Sequence, residues 1–322
     1  MNSTTALTLF RVRSSQSAIR AGYRLYLGSF RKLLRRTWLF GVLYALAAGL
    51  VMKLSLDMLP RQMVLLTMYR QGSITPEALA QAWTWGGLLH GVASGLLCAV
   101  LILFTSSAFA ALSEHRQTGS IAAPSRWYGL LHWPMALRVL RLTLWMLALS
   151  AVASLCCGLL MAVVLMAASP SFVLLAAMAT VLAAIVTALA LPLTHTAYVY
   201  LLEPDCRFLS ILPQTYADGL RHWGSLFLVT LMVGLVTMLL SAVVMLPYYI
   251  LAIALVTAQT GVLGGDPPGM PDYMGWMSTM VTMLSAFVMA YLYMSALFPF
   301  YYLYGSFTQE QTERTAIAHD RQ

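Results

Sequence analysis

SSQSAIRAGYRLYLGSFRKLLRRTWLFGVLYALAAGLVMKLSL, the stretch from Ser14 to Leu56, decides how the rest of the chain is read. Its first half, Ser14–Arg36, is basic and amphipathic; its second, Thr37–Leu56, is apolar, and no turn signal separates them. On a helix of period 3.6, Ile19, Tyr23, Tyr26, Leu27, Phe30, Leu33 and Leu34 fall within about 120° of arc. Arg20, Arg24, Arg31 and Arg35 gather on the adjoining face, with Lys32 and Arg36 beyond them. An aromatic and aliphatic face beside a basic one is the pattern of a helix lying in the headgroup plane. Each Lys or Arg beside an anionic leaflet contributes roughly 1 kcal/mol, so these six residues are expected to touch acidic lipid headgroups. A surface helix of a soluble domain would not run straight into a lipid-compatible span. No nucleic-acid partner is expected, because no folded nucleic-acid module accompanies the basic face.

Composition agrees. Of 322 residues, 60% are hydrophobic and only 9% are charged, with a mean hydropathy of +0.77. Soluble domains carry about 25% charged residues, so an integral membrane protein is expected. Apolar runs able to cross a hydrocarbon core need roughly 20 residues. Six are present, near 37–56, 86–112, 142–167, 172–201, 223–246 and 276–304. Pro60 and the Thr75-Pro76-Glu77 start signal predict a loop with short helices after the first span. Trp83 and Trp85 then mark an interface. Ser169-Pro170-Ser171 predicts a tight turn between the third and fourth spans. A break is predicted near Pro247, because 223–258 as one helix would exceed about 50 Å. Gly261–Asp272 reads as loop. No cleavable signal peptide is expected, since the first ten residues are uncharged.

The placement of basic residues orients the spans. With the N-terminus inside, sixteen of the nineteen Lys and Arg lie in inner segments, and only Lys53, Arg61 and Arg70 lie outside. Six spans with both termini in the cytoplasm of a bacterial inner membrane is the topology this predicts.

The opening unit also recurs. Ala108-Phe109-x-x-Leu112-x-Glu114 ends the second span and Ala197-Tyr198-x-x-Leu201-x-Glu203 ends the fourth, 89 residues apart. His132-Trp133 and His222-Trp223 follow, 90 apart. Ala21 can be laid over Ala217, and Gly28-Ser29 over Gly224-Ser225. In 211–223, Leu212, Tyr216, Leu220 and Trp223 make an apolar stripe; in 125–141, Trp127, Leu130, Leu131 and Leu137 do the same. The expected fold is thus all-α, an integral membrane bundle of three hairpins, each introduced by a cytoplasmic interfacial amphipathic helix. A tail of residues 1–13 precedes a single membrane domain, 14–305, with repeats 14–114, 125–203 and 211–305; a second tail, 306–322, follows. The third returning span, ending Phe300-Tyr-Tyr-Leu-Tyr-Gly305, departs from the shared motif.

This organisation resembles a group of bacterial polytopic membrane proteins in which an amphipathic lead precedes each hairpin. The membrane domain of glycerophosphodiester phosphodiesterases is one member. The lead here reads Ala21-Gly-Tyr23-Arg-Leu-Tyr-Leu-Gly-Ser-Phe30-Arg-Lys-Leu33. The resemblance implies a fold and supplies no catalytic residue, since only about eighteen polar residues follow Tyr304 and no catalytic domain is expected.

Within the spans the ionisable residues are few, and such residues are the usual markers of a pathway. His90 and His195 qualify, with Lys53 near an outer end; no Asp or Glu lies in a span core. His195, flanked by Thr194 and Thr196, is the foremost candidate to bind a substrate headgroup; the plainer reading is a histidine satisfied inside the bundle. His90, among Gly86, Gly87 and Gly91, reads as interfacial packing. No hydrolase, zinc-protease, P-loop or Rossmann motif occurs. No cofactor or metal is expected, and adjacent Cys156 and Cys157 point to different sides of a helix. The expected function is a non-enzymatic scaffold or accessory factor acting through membrane lipids or other membrane proteins. The alternative is a transporter or lipid-handling protein for an amphiphilic substrate, which a cavity lined by His195, Thr194 and Thr196 would favour.

Overall fold

The computed structural model describes residues 9–73, 75–121, 132–167, 172–203, 206–265, 271 and 273–320. Among them the chain is all helical. α1 is Ser15–Arg70, α2 Pro76–Thr118, α3 Trp133–Ala167, α4 Phe172–Leu202, α5 Phe208–Arg221, α6 Trp223–Leu263 and α7 Tyr273–Asp320. Every one except α5 is long and apolar enough to cross a membrane, which makes six candidate spans. Their surfaces carry the same message as their composition. Leu147, Leu155 and Val163 on α3 and Val173, Val181 and Leu189 on α4 are all exposed. Water would penalise such faces, whereas lipid tails are their natural solvent.

Two expectations about helix ends are corrected. The loop predicted after the first span begins only at Gln71, because α1 runs through Pro60 to Arg70. A proline removes one ladder bond, and the Gln62–Thr67 stretch after it holds no further breaker. The stop is Gly72, at φ +71°, with Gly72 N–H donating to Tyr69 O and Ser73 N–H to Met68 O. That is a left-handed glycine cap with both Schellman bonds in place. The next helix does start at Pro76, as the sequence predicts.

The break expected at Pro247 is also absent, and α6 stays helical to Leu263. The Ser285 hydroxyl donates to Val244 O at 3.3 Å, at the turn that the proline disturbs. A hydroxyl from another helix can satisfy the backbone that a proline frees inside a membrane. Residues 306–320 continue α7 as helix, with Ser306 and Phe307 buried. Of the loop predicted over 261–272, 261–263 stay helical as the end of α6; 266–270 and 272, the turn Ser169-Pro170-Ser171, the apolar positions Trp127, Leu130 and Leu131, and the side chains of Trp83 and Trp85 lie outside the described residues.

The chain divides into two compact units. The first comprises Met1–Leu33, Ser106–Val233 and Leu297–Gln322; the second comprises Leu34–Thr105 and Gly234–Ala296. In the second unit the Thr37 hydroxyl and Tyr291 hydroxyl pair at 3.1 Å. Phe104 meets the Tyr291 ring edge to face at 5.5 Å, and Tyr248 OH donates to Met52 Sδ at 3.3 Å. In the first unit α3 packs on α4, and α4 on α5.

Candidate functional site

The first unit is built on two prolines inside helices. Pro192 in α4 lacks an N–H and crowds the preceding turn, which exposes carbonyls at Ala188 and Leu189. Both are taken up from α5 and α6. Trp223 Nε1–H donates to Ala188 O at 3.0 Å, and Tyr216 OH to Leu189 O at 3.0 Å. Gly219 makes the approach possible, since a Cβ there would stand 2.9 Å from Pro192 Cβ. Pro299 in α7 has the same partner type. A Cβ on Gly22 of α1 would lie 2.4 Å from Pro299 N, so only glycine fits. Further along, Leu9 and Arg13 lead into α1 against α7. Gly305 abuts Leu9 O, and Arg13 N–H donates to Ser306 Oγ at 2.8 Å.

A polar knot caps the C-terminal end of α4. Arg116 donates to Leu202 O at 2.6 Å, and Arg138 donates to Tyr200 O and Glu203 O. Cations at the last carbonyls of a helix meet the negative end of its dipole. Tyr304 OH donates to Glu203 Oε1 at 3.1 Å, and His115 Nδ1 pairs with Tyr301 OH at 3.0 Å. The shared motif converges on this region. Phe109 and Tyr198, its two aromatic positions, meet edge to face at 5.3 Å. These arginines and tyrosines are committed to holding helix ends, which is a structural task.

His195 lies between these features and is 4% exposed. Its ring sits 5.3 Å from Phe307 and 6.3 Å from Tyr304. His222 in turn stacks on Phe307 at 4.2 Å, with Nε2 3.8 Å from Glu310 Oε2. His195 Nδ1 is buried with no hydrogen-bond partner among the described residues. The space beside it is about 10 Å³, room for a single water at most. Thr194 shares that wall but spends its hydroxyl on Leu191 O at 2.6 Å. Thr196 is turned to Thr215, the hydroxyls 3.0 Å apart, and does not line the space. His90 belongs to the second unit and is half-buried on α2. Among the described residues no group of three or more His, Cys, Asp or Glu is placed to hold a metal ion.

The large opening of the first unit is elsewhere. A groove of about 640 Å³ runs along the first turns of α1. Arg13, Ser17, Arg20, Arg24 and Gly28 line it, with Tyr302 of α7. The Arg13 guanidinium lies over the Tyr302 ring, 5.2 Å from its centre. Arg20 and Arg24 are exposed, and neither meets a carboxylate among the described residues. Arg31, Lys32 and Arg35 are exposed beyond the groove. Arg36 differs from the other five basic residues expected at headgroups: it is 4% exposed and held within the protein. Its position at the start of the buried Arg36-Thr37 pair, facing inward, was hidden by a helical wheel that had no partner helix on it. Sequence reasoning missed Arg13 and Tyr302 altogether, since they meet only in the folded chain.

Compared with known protein families, curated proteins and solved structures, the chain matches none. What fold and surface define is a class, an all-helical protein with six membrane-compatible helices.

Proposed function

We propose that this is a non-enzymatic protein of the bacterial inner membrane, a scaffold or accessory factor that works through anionic lipids or membrane partners. Six spans form three hairpins with both termini in the cytoplasm, and an amphipathic interfacial helix introduces each hairpin. Sixteen of nineteen basic residues on one side support the orientation. Support for the repeat comes from the way lead helices dock: Gly219 of one lead sits on Pro192 of α4, and Gly22 of another sits on Pro299 of α7. Glu203 follows Pro192 at the same interval as Glu310 follows Pro299, a correspondence that a search for the A-[FY]-x-x-L-x-E pattern passes over. α5 presents exposed Leu209 and Leu220 while Phe208, Thr215 and Gly219 are buried, as a helix in the headgroup plane requires.

The observation that carries the scaffold reading over the transporter is the filled core around His195, where about 10 Å³ is open. A substrate path needs far more. The test places a single cysteine at Thr194 in a chain whose four native cysteines are replaced. A membrane-impermeant maleimide, applied from either side of reconstituted vesicles, is expected to leave it unlabelled. Labelling from one side at the rate of an exposed control would overturn the reading in favour of a passage.

A further inference from the structure

We propose that the groove beside α1 is a binding site for the phosphate of an anionic glycerophospholipid, gripped by Arg13, Arg20 and Arg24. The proposal deepens the lipid-dependent reading above and names where that dependence resides. Three guanidinium groups border one groove of about 640 Å³. Guanidinium forks match phosphate oxygens in geometry as well as charge. Among the described residues no acidic side chain lines the groove, and Arg20 and Arg24 meet no carboxylate there. Gln16 and Ser17 of the first turn of α1 line the same groove, with the Ser17 N–H capped by Ser14 Oγ at 3.4 Å.

The occupant is a lipid rather than a soluble ester because of what flanks the arginines. Leu25 lines the groove, and Leu27 beside it is 71% exposed. α1 then continues without interruption into a membrane-compatible stretch. A headgroup seated between Arg20 and Arg24 would leave its acyl chains against that apolar face. The groove wall is also fixed in advance. Gly22 locks the opposite side of α1 onto Pro299, and Arg13 is braced on Tyr302. A preformed wall loses less freedom on binding than a mobile tail would.

The test is native mass spectrometry of the full chain in detergent, titrated with dioleoyl phosphatidate, dioleoyl phosphatidylcholine or glycerol 3-phosphate. Phosphatidate is expected to bind saturably, at one per chain, and the other two at least about tenfold more weakly. The double variant R20Q/R24Q should weaken phosphatidate by about thirtyfold. R207Q/R221Q removes the same charge at exposed positions outside the groove and should change it by less than about threefold. G28L adds bulk to the groove wall, where a Cβ meets nothing within 4 Å, and should weaken the adduct with charge unchanged. Equal losses in the two double variants would reduce the site to diffuse attraction and overturn the proposal. So would an undiminished adduct in G28L, or glycerol 3-phosphate competing on equal terms. The maleimide test at Thr194 is independent: a groove that binds no lipid leaves a closed core standing, and a labelled core leaves the groove standing.

Discussion

The space at His195 and the groove at Arg20 belong to the same compact unit, yet one is shut and the other open. About 10 Å³ stands against about 640 Å³. The shut one holds the histidine that a reading of span residues puts first, while the open one holds ordinary-looking arginines of a lead helix. The contrast separates rarity from availability. A histidine in an apolar helix is conspicuous, but here aromatic rings flank it, Thr194 bonds to Leu191 O and Thr196 pairs with Thr215. The arginines are common residues left where a ligand can reach them.

The largest effect that would break the contrast comes from the anchor behind the groove. Gly22→Leu pushes a side chain into the Pro299 backbone and should cost more than about 3 kcal/mol, read as a fall in the unfolding midpoint in detergent. It should also erase phosphatidate binding, because the groove wall moves. A wild-type midpoint would mean that α1 does not dock on Pro299. Next in size is the support beside His195. Trp223→Phe keeps the ring but strips the bond to Ala188 O, at about 1 kcal/mol. The same thermal measurement checks it, and no loss would mean that the Pro192 turn finds another donor. The smallest effect is at the histidine itself. His195→Phe keeps a ring among Phe307 and Tyr304 and removes a buried nitrogen that has no hydrogen-bond partner among the described residues. Stability should change by less than about 1 kcal/mol, and upward if at all. A large fall would mean that the imidazole makes a bond on which the fold depends.

Much of the fold is legible in the sequence because lipid imposes length and apolarity on each helix separately. The six spans and the helix start at Pro76 follow from that alone. The ends of α1 and α6 do not. Pro247 signals a stop only to a reader who cannot see Ser285, and Pro60 only to one who discounts the glycine cap at Gly72. The docking pairs Gly22–Pro299 and Gly219–Pro192 join distant parts of the chain, and each residue alone reads as a breaker. The candidate groove was half legible. Arg20 and Arg24 stand out on a wheel, but Arg13 precedes the helix and Tyr302 lies near the other end of the chain. The burial of Arg36 is not legible for the same reason, since a wheel shows neighbours along a helix and none across it.

The account rests on arginine placement marking the cytoplasmic face, and one labelling experiment reaches that directly. A cysteine tag is inserted after Gly265, another after Asp320, and intact cells are treated with an impermeant reagent. The account predicts that the tag after Gly265 reacts and the tag after Asp320 is protected until the membrane is opened. Reaction at Asp320 with protection at Gly265 would contradict it, and the lead helices with their groove would then face the wrong side.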